Sequence, residues 1–253
     1  MKYTGTIKDE QGKSHTLNLD LLPITTTEPA PQPEPQPQPE ETATSSIPLS
    51  YNDARFKNNT TAPSTTIASG GTLLNKTITD TGHTASIVTR SGATIKNCRV
   101  NSREGVRIGG GGDFLIDGCY LEATGQGDDH ADTIQTYSPG SKGSLKIRNT
   151  AIVAHNQAAT AGLFVADRWS GEVDLENVVF IGGPYGCRIH PDGGDIRVRF
   201  KNVFFVGPFG YDDCWVDTRT LNGTRNIVEL WENVRSATIV DGKLVPGTVI
   251  PRP

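Results

Sequence analysis

Ile147-Arg148-Asn149-Thr150-Ala151-Ile152 is followed 28 residues later by Leu175-Glu176-Asn177-Val178-Val179-Phe180, and 25 residues after that by Phe200-Lys201-Asn202-Val203-Phe204-Phe205. Each copy reads apolar, variable, small polar, two further residues, then apolar again. Outward from these, the phrase recurs at 73–78, 95–100 and 116–121, and more weakly at 231–236, giving seven copies in all. Gly118 stands in the Asn place of the third copy. A repeat of this length, rich in strand formers and Gly, is the mark of a solenoid. An Asn at a fixed corner can bond to the backbone of its bend and stack on its counterpart in the next coil. The expected fold is all-β, a single-stranded right-handed parallel β-helix of about seven coils.

Composition narrows the function classes. The chain has 253 residues with a net charge of −4 and no basic stripe, which argues against nucleic acid as a partner. It has 28 Gly and one Met, suiting a turn-rich β protein. No apolar run is long enough for a membrane span. Residues 1–10 lack the apolar core of a Sec signal peptide, so synthesis without Sec export is expected. Cys98 and Cys119 share one repeat position in adjacent coils, as do Cys187 and Cys214. Stacked strands ~4.8 Å apart would permit a disulfide in each pair. A cytosolic origin favours thiols.

Three segments are expected. In residues 1–22, Tyr3, Gly5 and Ile7 alternate, as do Leu17, Leu19 and Leu21, around a turn at 9–13. Two strands so short cannot bury a core of their own, so they read as a β anchor that completes its core on a larger protein assembly. Residues 23–47 read as a linker, because every second residue from Pro29 to Pro39 is proline. Such a segment favours extended polyproline II at ~3.1 Å per residue. Residues 48–253 form the β-helical head.

A further strand in each coil aligns as Val106-Arg107-Ile108, Ile134-Gln135-Thr136, Leu163-Phe164-Val165, Cys187-Arg188-Ile189 and Cys214-Trp215-Val216. Because side chains alternate across a strand, two outward columns follow. One is Arg107, Gln135, Phe164, Arg188 and Trp215; the other is Gly109, Tyr137, Ala166, His190 and Asp217. His130, Asp132 and Arg168 sit just beyond the strand ends. Aromatic faces interleaved with Arg and carboxylates suit sugars: rings stack on C–H surfaces while charged groups take hydroxyls and carboxylates. The expected substrate-binding set is Arg107, Gln135, Phe164, Trp215, Asp217, Asp132, His130 and Arg168.

His130-Ala131-Asp132-Thr133-Ile134-Gln135 resembles the His-x-Asp-Gly-Ile-Gln phrase of right-handed β-helix proteins in the pectate-lyase-like superfamily, with Thr133 where Gly is usual. The resemblance implies polysaccharide chemistry, either lyase action on uronates or binding alone, and fixes no catalytic residue. β-Elimination requires a base, an acid and a cation beside the uronate carboxylate. His190 and Tyr137, with the small Ala166 between them, would serve as base and acid, and Arg188 as the cation. Asp212-Asp213-Cys214 is similar to a polygalacturonase phrase, but it lies three coils after Asp132 instead of one, and no Gly-His-Gly is present. The acidic turn at 127–132 offers carboxylates to Ca²⁺ without the spacing of a calcium loop, so no metal or cofactor is expected.

Anchor, Pro-rich stalk and β-helical head together resemble the layout of bacteriophage fibre, spike and capsid-decoration proteins. That layout implies a virion-surface protein made in host cytoplasm, whose head binds polysaccharide or, in the stronger version, cleaves it. The alternatives are a free-standing polysaccharide lyase acting on uronate-containing glycans and a purely structural decoration protein.

Overall fold

The computed structural model of the chain describes residues 2–20, 46–127, 129–155 and 159–253. Most of the expected linker at 23–47 therefore lies outside the described residues. Strands Lys2–Lys8 and Ser14–Asp20 form an antiparallel hairpin with Gly5 opposite Leu17. Its turn is closed by the Asp9 carboxylate, which accepts from the backbone N–H of Gln11 at 3.1 Å and of Lys13 at 2.8 Å. Gly12 supplies the positive φ of 79° that an L-residue adopts only at a cost.

The head is a parallel β-solenoid with three walls. The leading apolar residues of the phrase pair rung on rung along the first wall: Leu73, Ile95, Ile116, Ile147, Leu175, Phe200 and Trp231. The closing residues do the same along the second: Ile78, Val100, Leu121, Ile152, Phe180, Phe205 and Ser236. Both rows point into one continuous core, in which Phe180 stacks on Phe205 at 5.1 Å and Phe200 on Trp231 at 5.0 Å. The solenoid makes about five turns, fewer than the seven expected. Strand Gly71–Leu74 has a rung on one side only, and Asn226–Val240 is closed by the antiparallel strand Lys243–Val249. The C-terminal residues then cross the open end, with Ile250 packed on the core and its carbonyl accepting from Trp231 Nε1 at 2.9 Å.

The corner between these two walls explains the phrase. Asn75, Asn97, Asn149, Asn177, Asn202 and Asn233 all have φ between 48° and 54°, and Gly118 takes the same place with φ 65°. Asn is among the few side chains that tolerate this left-handed geometry. The amides then link rung to rung: Asn233 Nδ2 donates to Asn202 at 2.8 Å, Asn202 to Asn177 at 3.0 Å, and Asn177 to Asn149 at 3.1 Å. Asn149 donates at 2.9 Å to the Asp117 carboxylate, which continues the ladder where Gly118 has no side chain.

Two of the three outer faces are occupied. The first wall alternates charge by rung, with Lys96 facing Asp117 at 3.1 Å and Arg148 facing Asp174 at 2.5 Å. Lys201 then reaches Glu176 at 3.7 Å and Arg199 reaches Glu229 at 3.1 Å. Such exposed pairs contribute little stability each, but a slip of one rung would set like charges opposite one another. The second wall is covered by the incoming chain: Ile47 and Leu49 pack on Ala151, Val179, Phe204 and Ala237, and Tyr51 meets Tyr120 edge-on. Among the described residues no segment packs on the outside of the third wall. Its rungs, the later parts of Lys76–Thr89 and Arg99–Ile108 followed by Ala131–Thr136, Ala159–Val165, Tyr185–Ile189 and Asp212–Val216, pair in parallel.

All four cysteines are free thiols, with Cys187 directly paired to Cys214 in register. Burial pushes the Cys119 and Cys214 thiols upward, so they stay protonated core groups.

The ladder predicts the effect of Asn177→Ala. It removes two amide bonds and leaves a Cβ in left-handed geometry, a loss of about 2–4 kcal/mol. Asn177→Gly should lose less, since Gly accepts the φ. Urea denaturation of the three proteins would check the order, and an Ala variant as stable as the parent would refute it.

Candidate functional site

The third wall brings the expected first column together in one register. Arg107 pairs with Gln135, Gln135 with Phe164, Phe164 with Arg188 and Arg188 with Trp215. Their alternation partners Val106, Ile134, Leu163 and Cys187 are fully buried. At the heart of the column the Arg188 guanidinium lies over three rings, 4.7 Å from the centre of Trp215, 5.2 Å from Phe164 and 5.5 Å from Tyr185. Arg188 has no carboxylate partner among the described residues, and its Nε is buried without a hydrogen bond. Tyr185 continues the aromatic surface to Trp215 at 5.8 Å and to Tyr211 at 5.3 Å, and Tyr211 is 78% exposed.

The second column aligns but does not face outward throughout. Backbone bonds place Tyr137 against Ile108, His190 against Val165 and Asp217 against Ile189. Tyr137 is 52% exposed, and Arg107 sits over its ring at 4.5 Å. Ala166 and Asp217, expected on the open face, are only 4% and 3% exposed. The reason is the corner that follows the strand, where the chain turns over them: Trp169 N–H closes a turn onto the Ala166 carbonyl, and Arg219 folds back onto Asp217. Arg219 donates to both Asp217 oxygens, at 2.8 and 2.6 Å, and this holds the Asp217 carboxyl below its ordinary range. His190 Nδ1 lies 3.6 Å from Asp217 Oδ2, with Ala166 separating its rung from that of Tyr137.

A third column joins the wall that strict alternation does not disclose. Asp132, Ala161, Tyr185 and Asp212 pair in register ahead of the inward residues. Between the two sets the chain makes a bend at Gly105, Gly162 and Gly186, where an added Cβ would come within 2.2, 2.5 and 2.5 Å of the next rung's carbonyl oxygen. The bend resets the alternation, so Glu104 and Tyr185 reach the same face as Arg107 and Arg188. A Gly directly before Val106, Leu163 and Cys187 is the sequence signal that could have revealed it.

Near the first of these rungs lies a cleft of ≈ 290 Å³ lined by Arg103, Glu104, Arg107, Asp129, His130, Ala131, Gln135 and Tyr137. Its cations are already paired. Glu104 takes both Arg107 donors, at 2.8 and 2.5 Å, and Asp129 takes Arg103. Asp132 lies behind the lining and is 1% exposed, so its carboxyl does not present itself to solvent as expected of a sugar contact. Burial drives that carboxyl well above its ordinary range, with Glu104 and Asp167 adding to the effect against the Ala161 N–H and Arg188. His130 is exposed on the cleft, and Gln135 Nε2 donates to Asp167 at 3.1 Å. Among the described residues no three His, Cys, Asp or Glu side chains gather as a metal site.

The Asp132 shift has a definite sign. A carboxyl with a raised folded pKa is protonated in the native state while ionised in the unfolded chain, so stability falls as pH rises above the unfolded value, ~3.9. The decline continues up to the folded pKa. Asp132→Asn should flatten the stability profile across that window, as read by thermal melts between pH 4 and 8; an unchanged slope would remove Asp132 as its source.

The wall can therefore stack flat apolar faces and supply the Arg188 guanidinium, which pairs with no carboxylate among the described residues, with hydroxyl and amide groups along its length. Comparison of the chain with protein-family models, curated proteins and solved structures gives no match.

Proposed function

We propose that the third wall is a polysaccharide-binding face, and that the chain is a virion-type surface protein displaying it on the N-terminal hairpin and Pro-rich segment. The observation that carries this reading is Arg188 among Phe164, Tyr185 and Trp215 on the third wall, with no carboxylate among the described residues paired to it. Aromatic faces on successive rungs repeat every ~4.8 Å, so sugar rings along a chain would meet one after another. The unpaired guanidinium favours acidic glycans, because a carboxylate offers it a bidentate partner. The virion setting rests on the resemblance of the layout. The hairpin of residues 2–20 is too small to bury a core alone, which supports a role in attachment.

Uronate cleavage is the second reading, favoured by the pairing of His190 with Asp217. Asp217 is held anionic by Arg219 and lies 3.6 Å from His190 Nδ1, which has no hydrogen-bond partner among the described residues. In this reading His190 takes the proton beside the carboxylate. The carbon–oxygen bond to the leaving sugar breaks as the ring double bond forms, and Tyr137 protonates the leaving oxygen. A purely structural decoration protein would need none of these groups.

Binding of the full chain to polygalacturonate, alginate and dextran, measured by calorimetry, tests the first reading. Trp215→Ala should weaken acidic-glycan binding at least tenfold, in keeping with ~1.5–3 kcal/mol for a buried aromatic surface, with an unchanged circular dichroism spectrum. Wild-type protein that binds none of the three would defeat the proposal. Absorbance near 235 nm reports the double bond. If the protein is a lyase, His190→Ala abolishes that signal while keeping binding, and a His190→Ala protein that still cleaves would exclude His190 as the base.

A further inference from the structure

Among the described residues, ten side chains other than Gly sit at positive φ. Seven are Asn, six of them at the phrase corner and one at Asn222. Asp241 precedes Gly242 in the tight turn of the C-terminal hairpin, a pairing such turns favour. The remaining two are consecutive, Asp167 with φ 56° and Arg168 with φ 60°, and they stand at the rim of the third wall. Arg168 is the one residue of the ten that is neither Asn nor Asp. A left-handed L-residue without a short polar side chain is held at a cost and persists only where its surroundings enforce it.

The surroundings here do enforce it. Trp169 N–H closes the turn onto the Ala166 carbonyl at 3.1 Å, and Gly140 N–H donates to the Arg168 carbonyl at 3.0 Å. The Asp192 side chain accepts from Arg168 N–H at 2.8 Å. The next rung packs so closely that a Cβ at Gly193 would lie 2.3 Å from Arg168 Cα. Asp167 meanwhile accepts from Gln135, a member of the first outward column. The turn is therefore fixed at the edge of the open wall by groups from the rungs on either side. The Arg168 side chain itself is exposed and takes part in no salt bridge among the described residues, whereas Arg103, Arg107 and Arg219 on this face are each paired with a carboxylate. Gly would satisfy the same backbone without strain.

We infer that the Asp167-Arg168 turn is a ligand-contacting rim of the binding face, in which Arg168 is held in left-handed geometry to present its guanidinium to an anionic group of the glycan. This rests on the polysaccharide reading of the wall and gives Arg168, expected from the sequence to touch substrate, a defined role there as a cation beyond Arg188.

The experiment compares wild type, Arg168→Gly and Arg168→Lys in the full chain, by thermal melting and by calorimetric titration with polygalacturonate and alginate. Arg168→Gly should raise the melting temperature by roughly 2–4 °C, as relief of left-handed strain predicts for a chain of this size, while weakening binding about tenfold, as loss of one charge-assisted contact predicts. Arg168→Lys should keep the strain and most of the affinity. A Gly variant that binds as tightly as wild type overturns the inference but leaves the groove standing. A Gly variant that melts lower overturns the strain argument. Wild-type protein that binds neither acidic glycan overturns the groove reading, and this inference with it.

Discussion

The side-chain ladder from the Asp117 carboxylate through the amides of Asn149, Asn177 and Asn202 to Asn233 fixes the axial register of the five rungs it joins. Each of these rungs is joined to the next at one corner by a bond whose partners must lie opposite one another. A shift of a single residue would therefore break the ladder and turn the strand faces over. The same corner needs positive φ, which is why Asn or Gly recurs there and why the phrase is visible at all. Core stacking, charge alternation and the columns of the open wall all inherit their alignment from it.

The three walls divide the work by what covers them. On the first, opposite charges on successive rungs neutralise one another, from Lys96 and Asp117 to Arg199 and Glu229. On the second, Ala151, Val179 and Phe204 are apolar on the outside because the segment beginning at Ile47 lies on them. The third carries Trp215, Tyr185, Tyr211, Tyr137 and Arg188, with no segment among the described residues packed over them. Exposed Tyr137 and Tyr211 beside half-buried Trp215, Tyr185 and Arg188 are uncommon on a surface that only has to be soluble. The functional reading follows from that contrast as much as from the residues themselves.

Within the open wall two electrostatic regimes sit side by side. Around the cleft, Arg103 and Arg107 are matched with Asp129 and Glu104, and burial behind them pushes the Asp132 carboxyl well above its ordinary range. Farther along, Arg188 is matched by ring faces, which attract a cation without neutralising it. An anionic group arriving there meets a guanidinium whose charge is still available. At the rim, Asp217 is kept ionised by Arg219 and lies 3.6 Å from His190.

The sequence by itself determined the solenoid, the Asn corner and the first outward column, because each follows from strict periodicity: a strand alternates every residue and a coil repeats its corner. It also disclosed the short N-terminal strand pair. What only the tertiary structure decided are the places where periodicity is interrupted. The bend at Gly105 and Gly186 resets the alternation and brings Glu104 and Tyr185 onto the open face. The turns after each strand close over Ala166 and Asp217, and the solenoid makes about five turns. Burial of Asp132 and the pairing of Arg107 with Glu104 likewise depend on neighbours from other coils, which local spacing does not specify. Alternation is a property of one strand, whereas exposure and charge pairing are properties of the stack.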